Sequence, residues 1–206
     1  MRVFLWSKDI EKGNKIERIE KMLRDGWVGQ GWTCLGDLSK YKGDISKDEI
    51  IKKLKNDFED VNRKCPGKTI EEVIKSHIFK EIIEWLLSKN RIRIGDIIVL
   101  LRGGKDIIAI GEARSEYRFN NDNIAISLDI AQGLDVQWLF VRDKEKREFD
   151  LNYKVLPQAL NMKVETGKIT GIYGIIPLDK LPEKVSGKLY IKIQEVLNAQ
   201  KFRGEG

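Results

Sequence analysis

The sequence has few cysteines, histidines and prolines, and these shortages narrow the kinds of site that it can build. Its 206 residues include two cysteines, Cys34 and Cys65, one histidine, His77, and four prolines. Two cysteines do not make a disulfide framework, although the sequence leaves open whether they pair. One histidine leaves zinc without its usual ligands. We therefore expect neither a metal nor another cofactor.

The sequence also lacks a long apolar run, whereas charge is plentiful. No apolar run approaches the roughly 20 residues that cross a bilayer, and the N-terminus has no signal-peptide pattern. We expect a cytoplasmic protein without a membrane partner. Charged residues make up 34% of the chain, and the net charge is +6. This surplus favours nucleic acid as a partner, with a lysine-rich surface as the alternative. Abundant Lys, Ile and Glu is typical of thermophile proteins.

A hairpin between residues 95 and 117 is the strongest structural pattern. Residues 97–101 and 107–110 are apolar, rich in β-branched side chains and too short for ordinary helices. Gly103 and Gly104 between them supply the positive φ angles of a tight turn. Because both runs are apolar on both faces, we expect other elements to cover both sides. The polar continuation of the second strand suits a binding-site lip and a simple sheet exit equally.

The other patterns predict an α+β fold. Residues 2–7 read as a strand, and Asn14 caps a helix that ends at residues 25–26. Ser46 and Thr69, each with a glutamate three residues later, open two helices of an insertion at about residues 46–89. Later patterns predict strands at 135–141, 153–156 and 161–166 and a closing helix at about 183–199. We predict a single domain, residues 1–206, with a small, mostly antiparallel sheet.

The segment between the first two helices is too rich in glycine for a helix and too aromatic for a linker. It reads WVGQGWTCLGDLSKY, residues 27–41. Small residues let a backbone approach a ligand closely, and Trp27 and Trp32 are candidates to stack on it. Packing in the core is the alternative. It suits Trp27 better, because that ring is placed to cover the first helix.

Two enzyme motifs are incomplete. CPGKT at residues 65–69 resembles the end of a phosphate-binding loop, but Asn62 stands where the first glycine belongs and no strand precedes it. Asp96 with Glu112-Ala113-Arg114 imitates a PD-(D/E)xK nuclease. Arginine is a poor substitute for the lysine of that motif, because it stays charged and handles protons badly. We keep the metal-dependent nuclease as a hypothesis, weaker than the two nucleic-acid-binding hypotheses given below.

Three stretches resemble the EVE and YTH-like domains of the PUA superfold, especially those at the N-terminus of archaeal McrB-type modification-dependent restriction proteins. They are FLWSKD (4–9), GQGWTCLGDLSKY (29–41), and GDIIVLLRGGKDIIAIGEARSEYRF (95–119) followed by DVQWL, within roughly the first 140 residues. The resemblance implies a small β-barrel-like sheet surrounded by helices. It also implies a reader, not an enzyme, which holds one modified base in an aromatic cage.

The resemblance also implies which residues form that cage. The family pattern takes the cage walls from the segment after the first helix and from the end of the hairpin. Here these positions match Trp32 or Trp27, and Tyr117, with Phe119 as a weaker candidate. An Asn or Asp that touches the base edge corresponds to Asn14, with Asp9 as its competitor. The basic side chains next to this pocket are the predicted phosphate contacts: Arg118, Arg114, Lys40 and Lys42.

The chemistry of methyl recognition agrees with this assignment. A methyl group barely alters the charge of a base, so a reader needs a dry aromatic box that the methyl fills. In a duplex the base must first be flipped out, at a cost of a few kcal/mol that phosphate contacts offset. We predict a non-enzymatic DNA-binding domain for a methylated base, 6-methyladenine before 5-methylcytosine, working with the motor and nuclease parts of a restriction system. An RNA-binding PUA-like module is the second hypothesis.

Overall fold

The computed structural model describes residues 1–8, 15–59, 65, 68–160 and 174–201. The strands are β1 (Val3–Lys8), β2 (Trp27–Gln30), β3 (Ile97–Arg102), β4 (Asp106–Ala113), β5 (Arg118–Phe119), β6 (Gln132–Val141), β7 (Lys154–Val155) and β8 (Gly174–Pro177). The helices are α1 (Lys15–Asp25), α2 (Lys47–Glu59), α3 (Ile70–Lys75), α4 (His77–Ile82), α5 (Asn123–Ser127), α6 (Asp143–Glu148) and α7 (Glu183–Lys201). The predicted α+β class is confirmed.

The chain divides into two compact units. Unit 1 comprises Met1–Ile10, Asp96–Gly111 and Trp138–Gly206, and unit 2 comprises Glu11–Gly95 and Glu112–Gln137. Strands β4 and β6 therefore each have one end in unit 1 and the other end in unit 2. The predicted single domain of residues 1–206 stays a prediction. No helix in the described ranges is long and apolar enough to cross a membrane.

Unit 1 is built on a sheet whose strand order is β8-β1-β3-β4-β6. Strand β1 runs parallel to β3, with Val3 opposite Ile97, and antiparallel to β8, with Phe4 opposite Pro177. The predicted hairpin is confirmed, since β3 and β4 flank Gly103 and Gly104 with φ angles of 59° and 69°. Its strands are almost wholly buried, which agrees with an apolar pattern on both faces.

The core of unit 1 follows the two-residue period of these strands. Val3 and Leu5 of β1 lie with Val99 of β3 in one buried cluster, to which α7 contributes Leu189 and Ile193. Because successive strand side chains point to opposite faces, Phe4 and Trp6 belong to the other face, and both are also fully buried. The predicted C-terminal helix thus forms, and it is buried where the sequence pattern puts its apolar positions.

Unit 1 also buries a carboxylate in α6. The Glu145 side chain at the start of α6 has no exposed surface, and Arg102 and Arg142 both pair with it, the former at 3.1 Å. Burial acts to raise the pKa of Glu145, but the Arg142 hydrogen bond and the two positive charges hold it below its usual range. The ion cluster therefore keeps the Glu145 carboxylate charged although it is buried.

Unit 2 contains helices at residues 46–89, where the sequence predicts them, with one correction. Both capping boxes form: the Ser46 and Thr69 backbone N–H groups donate to Glu49 and Glu72 at 2.8 and 2.7 Å. The predicted single helix from Thr69 to about residue 89 is wrong, because Ser76 has an extended backbone with ψ of 143°. The Ser76 hydroxyl caps α4 instead, and a π-helical turn continues to residue 87.

Other predictions meet the structure only in part. Helix α1 begins at Lys15, and the capping role of Asn14 and the base contact of Asp9 lie outside the described residues. The predicted strand at 161–166 also lies outside them. The stretch between β5 and β6 contains the short helix α5, whose Asp122 cap accepts hydrogen bonds from the Ile124 and Ala125 N–H groups.

Candidate nucleic-acid interface

The first predicted ring, Trp27, lies in the interior of unit 2. Strand β2 is antiparallel to β6, with Gly29 directly opposite Gly133. A Cβ on Gly133 would lie 2.7 Å from the Trp27 ring, and one on Gly29 would lie 2.6 Å from its Nε1, so the ring covers both glycines. The indole N–H donates to the Ile130 carbonyl at 2.8 Å, and the side chain is 1% exposed. Trp27 thus follows the core-packing alternative.

The second ring, Trp32, remains accessible. It follows Gly31 in the turn after β2, has φ and ψ of 65° and 31°, and is half-buried. A non-glycine residue in this left-handed region is uncommon and needs support from its surroundings. That support comes from its carbonyl, which accepts hydrogen bonds from the Gln132 amide at 3.1 Å and from the Leu35 N–H at 3.1 Å.

A buried polar network joins this turn to the third ring. The Tyr117 hydroxyl donates to Gln132 Oε1 at 2.6 Å and accepts from the Leu38 N–H at 3.0 Å. Gln132, which is fully buried, uses its amide N–H groups on the carbonyls of Trp32 and Gly36. Tyr117 is 3% exposed, and burial raises the pKa of its hydroxyl, so it stays a neutral donor. The network holds the backbone of residues 32–38.

Two further ties hold the same turn. Asp129, with a positive φ of 52°, accepts the Thr33 N–H at 3.0 Å. Cys34 forms a disulfide with Cys65, 31 residues later. The sequence left that pairing open, and the structure answers it. Lys68 follows Cys65 by three residues. Its ammonium lies 5.1 Å from the centre of the Trp32 ring.

Base contact by any of the predicted residues stays a prediction, but burial now separates them. Trp32 and Phe119 reach solvent, whereas Trp27 and Tyr117 do not offer a free ring face. Phe119 lies in β5 opposite Gln132 of β6. Gln132 therefore connects the two accessible rings: it is the strand partner of Phe119 and the hydrogen-bond donor to Trp32.

Each of the four predicted phosphate-binding side chains is exposed or half-exposed, and each already has a carboxylate partner. The pairs are Lys40–Asp57 at 2.7 Å, Lys42–Glu116 at 3.4 Å, Arg114–Glu112 at 3.1 Å and Arg118–Asp135 at 2.6 Å. A phosphate would have to displace these carboxylates. Exposed pairs of this kind contribute only about 0–1 kcal/mol, so the exchange costs little.

Lys42 is the easiest of the four to redirect. Its partner Glu116 also accepts hydrogen bonds from Arg91 at 3.1 Å and Arg93 at 3.0 Å. Burial acts to raise the pKa of Glu116, but these two guanidinium groups hold it below its usual range. If Lys42 leaves, the Glu116 carboxylate therefore still has two cationic partners.

The nuclease hypothesis finds its first carboxylate engaged. In unit 1, Asp96 accepts three hydrogen bonds from Arg2, from the backbone N–H at 2.9 Å and from the guanidinium at 3.1 and 2.6 Å. In unit 2, Glu112 pairs with Arg114. Over the described ranges, no group of three or more His, Cys, Asp or Glu side chains is arranged to hold a metal ion.

A cavity of about 320 Å³ lies in unit 1. Its lining is mainly apolar and includes Val3, Pro177, Leu178 and Tyr190. Of the predicted base-binding and phosphate-binding residues that the structure describes, none belongs to this lining. The accessible rings of unit 2 are therefore the better candidate for the predicted function.

Three features of this site escaped the sequence analysis: the Gln132 bridge, the Asp129 acceptor and the Cys34–Cys65 disulfide. Gln132 and Asp129 lie about a hundred residues later in the sequence than the turn that they hold. The only sequence signal was a pair of cysteines, one of which follows Trp32 by two residues. Such long-range partners have no local pattern.

The chain is similar to a protein family and to a solved structure. A family described as "Domain of unknown function (DUF8426)" matches residues 6–160. Among solved structures, the chain is similar to the YTH domain of the Zygosaccharomyces rouxii MRB1 protein in complex with N6-methyladenosine RNA. The two are 14% identical, the match covers 92% of this chain and 84% of that chain, and the TM-score is 0.36. With so low a TM-score, this likeness carries no weight for function. No curated protein matches the sequence.

Proposed function

Because the chain belongs to the family described as a domain of unknown function (DUF8426), whose description names no activity, we propose its function from the residues of unit 2. It is a DNA-binding specificity domain that recognises a methylated base, 6-methyladenine before 5-methylcytosine, by flipping that base onto Trp32. It binds its ligand and catalyses no reaction on it. The resemblance of its sequence to EVE and YTH-like domains supports the choice of ligand.

One observation carries the proposal: Trp32 is an accessible ring in a turn whose backbone is held rigidly. Its own carbonyl, the neighbouring Thr33 N–H and the next residue, Cys34, are each fixed by a partner elsewhere in unit 2. Because this backbone is fixed before binding, stacking of a base on the ring costs no ordering of the turn. Stacking of one base on an aromatic side chain is worth about 1–3 kcal/mol.

The cage has accessible walls and a supporting layer. Trp32 and Phe119 are the proposed walls, because both reach solvent and both are tied to Gln132. Tyr117 and Trp27 support these walls from inside, through the Gln132 bridge and the paired glycines of β2 and β6. Asn14 and Asp9 remain the candidates for the base edge.

The cost of flipping is offset by contacts to the phosphates. A flipped base loses a few kcal/mol of stacking and pairing, and Lys and Arg contacts to phosphates supply sequence-independent affinity in return. Arg118, Arg114, Lys40 and Lys42 are the proposed contacts. The net charge of +6 has the sign that such binding requires. In the cell, we propose that the domain acts in the cytoplasm with the motor and nuclease parts of a modification-dependent restriction system.

The proposal is tested by titrating one duplex that carries 6-methyladenine, 5-methylcytosine or no mark. The wild-type chain should prefer the 6-methyladenine duplex. Trp32→Ala should remove that preference, a loss of about 5- to 150-fold that corresponds to the stacking energy, while weak salt-sensitive binding remains. Tyr190→Ala, which removes an exposed ring of unit 1, is the matched control and should keep the preference.

Three outcomes contradict the proposal. The methyl-reader assignment fails if the three duplexes bind equally, and the Trp32 assignment fails if Trp32→Ala keeps the wild-type preference. A single-stranded RNA arm, with and without N6-methyladenosine, tests the PUA-like alternative. Tighter binding of that RNA than of the methylated duplex would replace DNA by RNA as the ligand.

A further inference from the structure

Lys68 differs from the four predicted phosphate contacts. Its ammonium lies 5.1 Å from the centre of the Trp32 ring, and its side chain is exposed. Those four side chains each pair with a carboxylate, whereas Lys68 makes no ion pair with any residue that the structure describes. Glu72, the acidic group of the neighbouring capping box, is engaged by the Thr69 N–H at 2.7 Å.

The disulfide explains why Lys68 lies over this ring. Cys34 follows Trp32 by two residues, and its bond to Cys65 fastens Cys65 to the Trp32 turn. Cys65 and Lys68 then form a β-bridge, in which the Lys68 N–H donates to the Cys65 carbonyl at 3.0 Å. Cys65 itself is buried. A covalent bond and a backbone hydrogen bond thus connect Lys68 to the Trp32 turn.

We propose that Lys68 binds the phosphate of the nucleotide whose base stacks on Trp32, and that the Cys34–Cys65 disulfide positions it there. This inference rests on the proposed function, since it needs a base at Trp32. A lysine is a compact charge on a flexible stem, so its ammonium can turn from the ring to a phosphate without a backbone change.

The energetics favour this exchange. An exposed cation–π contact is worth about 0.5–1 kcal/mol, so little is lost when the ammonium leaves the ring face. Among the residues that the structure describes, no carboxylate has to be displaced from Lys68, whereas each of the four predicted contacts must first give one up. Phosphate neutralisation also releases counterions from the nucleic acid. Of the basic side chains considered, Lys68 is therefore the one most ready to bind a phosphate.

The first test compares Lys68→Ala with Lys68→Arg on the 6-methyladenine duplex over a range of salt concentrations. Loss of one phosphate contact should make the negative slope of log affinity against log salt concentration shallower by about 1. It should also weaken binding about five-fold at physiological salt. Lys68→Arg keeps the charge and should retain most of the affinity. Lys52→Ala, at an exposed lysine of α2, is the matched control and should change the slope much less.

The second test removes the tether. A Cys34→Ser, Cys65→Ala chain should lose affinity about as Lys68→Ala does, and adding Lys68→Ala to it should cost little more, because the two changes act on one contact. If Lys68→Ala binds with the wild-type slope, or binds more tightly because the ring has been uncovered, the Lys68 assignment is overturned while the reader proposal stands. If the wild-type chain binds no nucleic acid, both fall together.

Discussion

Unit 1 buries apolar side chains on both faces of β1 and β3, aliphatic on one face and including Phe4 and Trp6 on the other, whereas unit 2 buries a tyrosine, a glutamine and a tryptophan whose polar atoms are all bonded. Apolar packing gives stability but tolerates many arrangements of similar volume. A satisfied polar network requires particular partners at particular angles, so it specifies one arrangement. The difference indicates that the core of unit 1 depends on apolar packing and that the polar network of unit 2 holds the Trp32 turn in one conformation.

The largest expected effect comes from the same substitution made in each unit. Gly133→Ala in unit 2 would push a methyl group into the Val28 carbonyl and the Trp27 ring. Neither can easily move away, because the first is backbone and the second is a buried ring. We expect a loss of at least about 3 kcal/mol in the free energy of unfolding. Gly187→Ala in α7 of unit 1 meets no atom within 4 Å, and it should stabilise by about 0.5–1 kcal/mol. Urea denaturation measures both.

This pair would break the comparison if the signs were otherwise. A Gly133→Ala chain as stable as the wild type would mean that β2 and β6 do not approach closely over the Trp27 ring. A destabilised Gly187→Ala chain would mean that α7 needs its glycine for a reason that its open surroundings do not explain.

The second-largest effect is expected at Glu145, the carboxylate that is buried in α6 of unit 1. Glu145→Gln removes the charge that two arginines neutralise. We expect the free energy of unfolding at pH 7 to fall by about 2–3 kcal/mol. This is less than the roughly 3–5 kcal/mol lost when a fully buried ion pair is broken, because both arginines are partly exposed. Because the pKa of Glu145 is lowered on folding, its contribution is complete above the unfolded value of about 4.3. It disappears as the pH falls through the lower folded value.

The measurement is the free energy of unfolding against pH for both chains. The difference between the wild type and Glu145→Gln should be constant from neutral pH to about 5 and should shrink below about 4.3. The same difference at pH 3 as at pH 7 would show that the Glu145 charge does not stabilise unit 1.

The smallest effect on stability, but the most selective one, is expected in the polar network of unit 2. Tyr117→Phe keeps the ring and leaves the Leu38 N–H and Gln132 Oε1 without their buried partner. We expect a loss of about 1–2 kcal/mol in the free energy of unfolding. Because Gln132 also holds the Trp32 carbonyl, the preference for methylated duplex should fall while binding of unmarked duplex stays the same. Equal weakening of both would separate Tyr117 from the recognition turn.

What the sequence revealed about these two units differs for a physical reason. The β3–β4 hairpin, strand β1 and helix α7 were predictable because residues two or four apart in sequence carry their pattern, and the capping boxes at Ser46 and Thr69 span three residues. The break at Ser76 was missed because a serine inside an apolar period looks like a solvent-facing helix residue. Its hydroxyl instead caps the next helix.

The site was harder to predict because its contacts are distant in sequence. Trp32 was recognised from glycines around an aromatic residue, but its support comes from Gln132 and from Cys65, which no local pattern connects to it. Tyr117 was expected in a cage wall because it matches the position at the end of the hairpin from which the resembled family takes one wall. A partner 15 residues later lets its hydroxyl be buried instead. Burial of a polar ring depends on finding such a partner.

The central claim is that a base stacks on Trp32, and tryptophan emission tests it most directly. Addition of the 6-methyladenine duplex to the wild-type chain should quench part of that emission, because a stacked base contacts the Trp32 ring. Trp32→Phe keeps a flat ring, so it should still bind the duplex but lose the quenching. Equal quenching in the wild type and in Trp32→Phe, at matched saturation, would contradict stacking on Trp32.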